Sequence, residues 1–185
     1  MSSFNFDSIK EQLESIEENT LYYKNIIRKE ESFLNICKLS KKHLSSNMYS
    51  CLIENIIKKR FKIEKCKDNT SGDGISINNK NIEIKISLGD STGKMNFVQL
   101  RPDHKIDFYL MLTYNKKEDK IFWFLCDPII LYNLLPEYGG YSHGTIKKLG
   151  KINLNNIYGR NLEYSLRPNP DKTGKSKKIM GFFYR

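Results

Sequence analysis

Several features that would assign a protein to a class at once are missing from this sequence. Its longest apolar runs, residues 108–112 and 121–126, have the length of a strand, whereas a membrane-spanning helix needs ~20 apolar residues. Its four cysteines lack Cys-x-x-Cys spacing, which disfavours a zinc site and predicts reduced thiols. The first residues are acidic and amphipathic, unlike a secretory signal. We therefore expect a cytoplasmic protein that stays out of the membrane.

A nucleotide-binding glycine loop is missing as well. Residues 89–94 superficially resemble a phosphate-binding loop, but Met95 stands where the P-loop pattern requires Ser or Thr. We expect no nucleotide cofactor. We interpret the segment as a flexible loop in which Lys94 touches a phosphate backbone.

The residues that are present suffice for one domain. The chain has 185 residues, 39% of them hydrophobic, and shows no internal repeat. Helical spacing of Ile9, Leu13, Ile16 and Tyr23 predicts an amphipathic helix that packs in a core or at a dimer contact. The remaining periodicity predicts a helix over 47–61, strands over 106–113 and 121–126 at the centre of a sheet, a helix over 129–135 and a strand over 179–184.

Positive charge is unevenly distributed along the chain. The formal net charge is +10, yet residues 1–36 hold four basic and seven acidic side chains. Residues 141–185 hold ten basic and two acidic side chains. A basic C-terminal third favours a polyanionic partner, nucleic acid before membrane, over a charge that serves solubility alone.

The strongest candidates for functional residues lie within residues 72–87. Two isoleucine-rich runs flank a polar turn there and predict a β-hairpin. Glu83 and Lys85 lie two residues apart, so they share one face of their strand, and Asp73 stands at the mouth of the hairpin. Grouping these charges beside apolar side chains is costly unless something binds there. A divalent cation is the obvious candidate.

Mg²⁺ suits this donor set, because it takes one or two carboxylates and keeps several waters. Asp73 and Glu83 would supply the carboxylates, and the carbonyl of Ile84 would complete the site. Lys85 would orient or stabilise the attacking water in phosphodiester hydrolysis.

The order of Asp73, nine further residues and then Glu83-Ile84-Lys85 resembles the signature of the PD-(D/E)xK nucleases, the superfamily of the type II restriction endonucleases. The resemblance covers roughly residues 47–126. It implies a restriction-endonuclease-like α/β fold with a central mixed β-sheet flanked by helices. It also implies that Asp73 and Glu83 ligate Mg²⁺, that Lys85 assists the nucleophile, and that Glu54 and Gln99 support the site. An i,i+4 ion pair with Lys58 is the alternative for Glu54.

By this resemblance residues 1–185 form a single nuclease domain. Its parts would be an N-terminal helical extension (1–45), a catalytic core (46–126) and a basic DNA-contacting part (127–185).

This chain departs from the family pattern at two points. Gly72 precedes Asp73 where the family has proline. In addition, a two-residue turn at Asn79-Lys80 would pair Asp73 with Ile86 and leave it on the isoleucine face. A bulge at the glycines, or a turn one residue longer, would bring Asp73 to the face of Glu83.

Basic and polar side chains elsewhere are candidates for DNA contacts. Arg101, His104 and Lys105 follow the hairpin and would touch the backbone near the scissile bond. His143, Thr145, Lys147 and Lys148 lie in a glycine-rich segment and would enter a groove. A second acidic pattern, Asp107 with Glu118 to Lys120, has similar spacing but predicts an exposed turn.

The leading hypothesis is a Mg²⁺-dependent type II restriction endonuclease that cuts a short specific sequence in double-stranded DNA as a homodimer. A junction resolvase or a repair nickase stays open within the same superfamily. A non-catalytic nucleic-acid-binding domain and a protein-interaction module are the alternatives from other classes.

Overall fold

A computed structural model describes residues 6–68, 70–90, 92–138, 141–142 and 164–168. The predicted groove segment around His143 to Lys148 and the predicted strand over 179–184 lie outside these residues. The chain divides into two compact units, Met1–Ile53 and Glu54–Arg185. This boundary falls inside the third helix, eight residues beyond the end of the predicted extension at residue 45.

The first unit contains two helices, α1 (Phe6–Lys29) and α2 (Phe33–His43). Ser32 caps α2, because its side-chain oxygen accepts a hydrogen bond from the Asn35 amide. The C-terminal part of α1 packs on α2, where Ile27 and Ile36 are fully buried. The N-terminal part is different: Leu13 and Ile16 are 57% and 60% exposed. The predicted helix is therefore present, but only the apolar side chains of its last turns are buried in the core of this unit.

Helix α3 (Ser46–Phe61) was predicted within one residue, and it leads into the main sheet. This sheet contains β1 (Gly74–Ile75), β2 (Asn81–Ser87), β4 (Phe108–Asn115) and β5 (Lys120–Cys126), in the order β1-β2-β4-β5. Strand β2 runs parallel to β4, and the other pairs are antiparallel. The fold is thus mixed α/β with a mixed central sheet flanked by helices, as the sequence predicted at this level.

The expected central position of β5 is wrong for the sheet that the structure describes. Strand β5 follows β4 through a tight turn at residues 116–119 and lies at the sheet's edge. The prediction placed this strand at the centre because it is hydrophobic. Its apolar side chains Trp123 and Leu125 are nevertheless 50% and 61% exposed. A long apolar strand at a sheet edge is unusual for a monomeric protein.

A second sheet consists of β3 (Phe97–Leu100), β7 (Tyr164–Leu166) and β6 (Tyr141–Ser142) in that order. One face of the main sheet shares a buried cluster with this sheet and with α4 (Pro128–Tyr138). Tyr109 and Met111 contribute from β4, and Leu131 and Tyr132 contribute from α4. This cluster is the core of the second unit.

The opposite face of the main sheet carries an open apolar groove of about 360 Å³. Ile82, Leu110 and Trp123 line it together with Phe61 at the end of α3, whose ring centroid lies 5.3 Å from that of Trp123. None of the helices that the structure describes is both long and apolar enough to cross a membrane.

Candidate active site

The register of the hairpin decides where Asp73 lies. Gly74 pairs with Ile82 and Ile75 with Asn81, so five residues, 76–80, form the turn. Asn79 adopts a left-handed φ of 57°, and the Ser76 amide donates to the Lys80 carbonyl at 2.9 Å. The two-residue turn is therefore wrong, and the turn is longer by three residues, not by the one residue that was expected. Asp73 lies just before β1, and its amide donates to the carbonyl of Ile82, the residue that also pairs with Gly74.

Gly72 makes this register possible. Its φ is +84°, and a Cβ at this position would lie 2.7 Å from the Ile82 carbonyl oxygen. Proline cannot adopt a positive φ. The close approach places the Asp73 amide 2.9 Å from that same carbonyl. A glycine, and not a proline, is therefore required at position 72 for a conformational reason.

The carboxylate of Asp73 lies against the backbone of β2. Its Oδ2 accepts a hydrogen bond of 2.7 Å from the Ile84 amide, beyond the end of β1. The N–H and C=O of one strand residue point to the same side of the strand. The Ile84 carbonyl is therefore directed to the edge where Asp73 lies, so the three predicted ligands are contiguous.

Glu83 and Lys85 form a buried ion pair. Lys85 Nζ lies 2.6 Å from Glu83 Oε1, and the two side chains are 13% and 7% exposed. Glu83 is in register with Tyr109 and Lys85 with Met111, so both charged side chains project toward the core face. The Tyr109 and Tyr132 hydroxyls, 2.5 Å apart, provide polar groups in this cluster.

Negative charge is in excess around Asp73. Burial, followed by the nearby carboxylates of Glu83 and Glu54, raises its pKa to about 6 against the opposing effects of the Ile84 hydrogen bond and Lys85. Glu54 also pairs with Lys58, 2.5 Å away. The i,i+4 pair with Lys58 is thus present, and Glu54 also lies close enough to Asp73 to raise its pKa.

His104 joins this group from residues 101–107, which connect β3 to β4. Its side chain is only 11% exposed, and its Nδ1 lies 3.8 Å from Glu83 Oε2 without a hydrogen-bond partner. The prediction placed His104 on the DNA backbone; the structure directs it toward Glu83 instead. Sequence reasoning missed this contact because it depends on the parallel pairing of β2 with β4, which no local pattern encodes.

The other predicted site residues are less central. Gln99 is exposed at the irregularity in β3, with a φ of 55°. Lys94 and Lys105 are exposed, and Arg101 is half-buried. In the glycine loop, Asp90 Oδ1 accepts hydrogen bonds from the Thr92 and Lys94 amides, so a carboxylate occupies the place that a phosphate would need.

The second acidic pattern does not form a site. Asp107 precedes β4, and its carboxylate accepts the Asn81 amide at 2.8 Å. Glu118 lies in the turn after the far end of β4, next to Asn115. The eight residues of that strand separate the two acids.

A basic segment that the prediction did not single out leads into the site. It follows α3 and precedes Asp73, and its exposed members are Lys62, Lys65 and Lys67. The signal was visible in the printed sequence as a charge run, but the larger excess near the C-terminus concealed it.

The free energy of unfolding should depend on pH through the charge of Asp73. Because folding raises the pKa of Asp73, binding of a proton to this carboxyl stabilises the folded state. This contribution is fully present below the unfolded pKa of 3.8 and is lost as pH rises through about 6. In EDTA, the free energy of unfolding of the wild type should fall by up to about 3 kcal/mol over this window relative to Asp73→Asn. Urea denaturation at stepped pH measures it.

Asp107→Asn provides a control of opposite sign. The Asn81 amide holds the pKa of Asp107 below its usual range. The wild type should therefore gain stability over Asp107→Asn as pH rises. Parallel pH curves for the wild type and Asp73→Asn would contradict a raised Asp73 pKa.

Within the described residues, no group of three or more His, Cys, Asp or Glu side chains is clustered closely enough to hold a metal by itself. Comparison with protein-family models, with curated proteins and with solved structures gave no significant match to this chain. The arrangement offers the carboxylates of Asp73 and Glu83, a backbone carbonyl and a lysine. This donor set fits a cation that keeps part of its water shell.

Proposed function

We propose that this protein is a divalent-cation-dependent nuclease that hydrolyses phosphodiester bonds in double-stranded DNA. One observation carries the proposal: the Ile84 amide holds the Asp73 carboxylate against β2, the strand that presents Glu83 and Lys85, in the order that resembles the PD-(D/E)xK nucleases. The finer features, a restriction-endonuclease-like fold and a type II enzyme that cuts a short specific sequence, belong to the same proposal.

Mg²⁺ would be held by the carboxylates of Asp73 and Glu83 and by the Ile84 carbonyl. The fit rests on charge and on donor type, because Asp73 is crowded by two further carboxylates and all the donors are hard oxygens. When bound, the ion polarises the phosphate and lowers the pKa of a coordinated water.

The side chains of the chain itself have distinct tasks. Asp73 and Glu83 fix the site, and the Ile84 amide prevents the Asp73 carboxylate from rotating away. Lys85 carries its charge within 2.6 Å of Glu83, where it can orient the attacking water and balance charge on the phosphate. Glu54 and Gln99 remain supporting candidates.

DNA would approach over the exposed cations around the site. The basic segment after α3 precedes Asp73, and Lys105 and Arg101 lie beside His104. Such contacts supply salt-dependent affinity, and base-edge contacts supply sequence choice. The predicted groove residues His143, Thr145, Lys147 and Lys148 remain candidates for that choice. A homodimer would match a two-fold DNA site.

A non-catalytic nucleic-acid-binding domain is the second candidate. The short Lys85–Glu83 pair favours it, because a buried ion pair can be purely structural. In that case the acids would only hold the hairpin, and the net charge of +10 would hold the nucleic acid.

A plasmid assay separates the two candidates. Supercoiled plasmid incubated with the full chain and Mg²⁺ should become nicked or linear, and EDTA should prevent this. Discrete fragments from a linear template would support a sequence-specific enzyme, whereas a smear would indicate a nonspecific nuclease. Salt-dependent retention of DNA without cutting, in either Mg²⁺ or Mn²⁺, would leave only the binding domain.

A further inference from the structure

We propose that the imidazole of His104 joins Glu83 in binding the catalytic cation, and that the site takes a first-row transition-metal dication such as Mn²⁺ in preference to Mg²⁺. This inference rests on the proposed function and specifies its cofactor. It starts from one atom: His104 Nδ1 is buried and has no hydrogen-bond partner. Buried polar atoms are almost always paired, so an orphaned one directed at a site calls for a ligand.

The distance from His104 Nδ1 to Glu83 Oε2 is 3.8 Å. This is too long for a hydrogen bond, and a charged imidazole bonded to a carboxylate would approach to about 2.8 Å. Two donors on one cation, with metal–ligand bonds of about 2.1 Å, are about 3.0 Å apart when adjacent and about 4.2 Å apart when opposite. The observed separation lies inside that range.

The backbone on both sides of His104 is fixed, so its side chain is held in place. The Lys105 amide donates to the Thr70 carbonyl at 2.7 Å, and the Asp107 amide donates to the Asn81 carbonyl at 2.8 Å. The His104 amide itself donates to the Arg101 carbonyl at 3.2 Å. The bond to Asn81 attaches the segment to β2, the strand that carries Glu83.

A nitrogen donor changes which ion the site prefers. Mg²⁺ is a hard cation that favours oxygen ligands and gives up water reluctantly. Imidazole binds first-row transition-metal dications better, and Mn²⁺ also accepts carboxylate, carbonyl and water.

Pulsed electron paramagnetic resonance of Mn²⁺ tests the contact directly. The wild type, loaded with one Mn²⁺, should show ¹⁴N modulation from a bound imidazole. His104→Ala should lack this modulation at saturating Mn²⁺ and should bind Mn²⁺ about tenfold more weakly, with a much smaller change for Mg²⁺. His43→Ala is the matched control, because that histidine stacks on Tyr23 in the first unit, and it should retain the signal.

The outcomes separate this inference from the proposed function. Mn²⁺ that binds and supports cutting but shows no ¹⁴N modulation, or modulation that persists in His104→Ala, would overturn the role of His104 and leave the nuclease proposal intact. If the wild type binds no divalent cation and cuts no DNA, both proposals fail. Activity in Mn²⁺ well above that in Mg²⁺, lost selectively in His104→Ala, would support the preference.

Discussion

Asp73→Asn should reduce the rate of DNA cutting about a thousandfold, equivalent to ~4 kcal/mol in the barrier, because it removes one of two carboxylates from the proposed cation site. DNA binding measured in Ca²⁺ should stay within a few-fold of the wild type. The substitution is conservative for the fold, since the amide oxygen of asparagine can still accept the Ile84 hydrogen bond now made by Oδ2. Cleavage rates in Mg²⁺ and gel-shift titrations in Ca²⁺ give the two quantities.

Asp107→Asn is the matched control for this experiment. Asp107 also accepts a backbone amide of β2, that of Asn81, and the chemical change is identical. It lies outside the proposed site, however, and its carboxylate pairs with Lys80. Asp107→Asn should therefore cut at nearly the wild-type rate. Equal loss of cutting and binding in Asp73→Asn would show that Asp73 has only a folding role.

Lys85→Met should have the largest effect on stability. Removing the lysine leaves the buried Glu83 carboxylate beside two other acids without its cation, and breaking one partner of a buried pair costs about 3–5 kcal/mol. Cutting should be lost as well. The double variant Glu83→Gln with Lys85→Met should recover most of the stability without recovering activity. Urea denaturation in EDTA and the plasmid assay measure these effects.

Lys80→Met provides the comparison, because Lys80 pairs with Asp107 on the surface, where the two side chains are 52% and 36% exposed. An exposed pair contributes at most about 1 kcal/mol, and cutting should continue. If Lys85→Met were as mild as Lys80→Met, the Glu83–Lys85 pair would not be the buried feature described above. If it remained active, Lys85 would have no part in the chemistry.

Local patterns predicted the elements of this fold better than their assembly. Alternating isoleucines identified β2, and the helical spacing of apolar residues identified α3, because both signals lie within one segment. The turn was harder, because Asn78, Asn79 and Lys80 suit a short turn as well as a long one. The choice depends on Gly72, whose positive φ brings Asp73 onto Ile82, and on the bridge from Glu64 to Ile75. Both are tertiary constraints.

Features that depend on distant pairing escaped prediction for the same reason. Strands β2 and β4 are separated by about twenty residues, and only their parallel register brings His104 to Glu83. Likewise, hydrophobicity alone suggested a central position for β5, whereas order along the sheet is a property of the whole chain. The acid–lysine motif was predictable because strand alternation is local.

The parallel pairing of β2 with β4 also has a consequence for biosynthesis. The hairpin of β1 and β2 is complete once residue 87 has left the ribosome, but its partner strand ends only at Asn115. Non-local pairing waits for the later segment and closes slowly. A nascent chain that already displays Asp73, Glu83 and Lys85 therefore lacks the strand that holds them in a sheet. The arrangement of these three side chains in the sheet is therefore completed only after translation has passed Asn115.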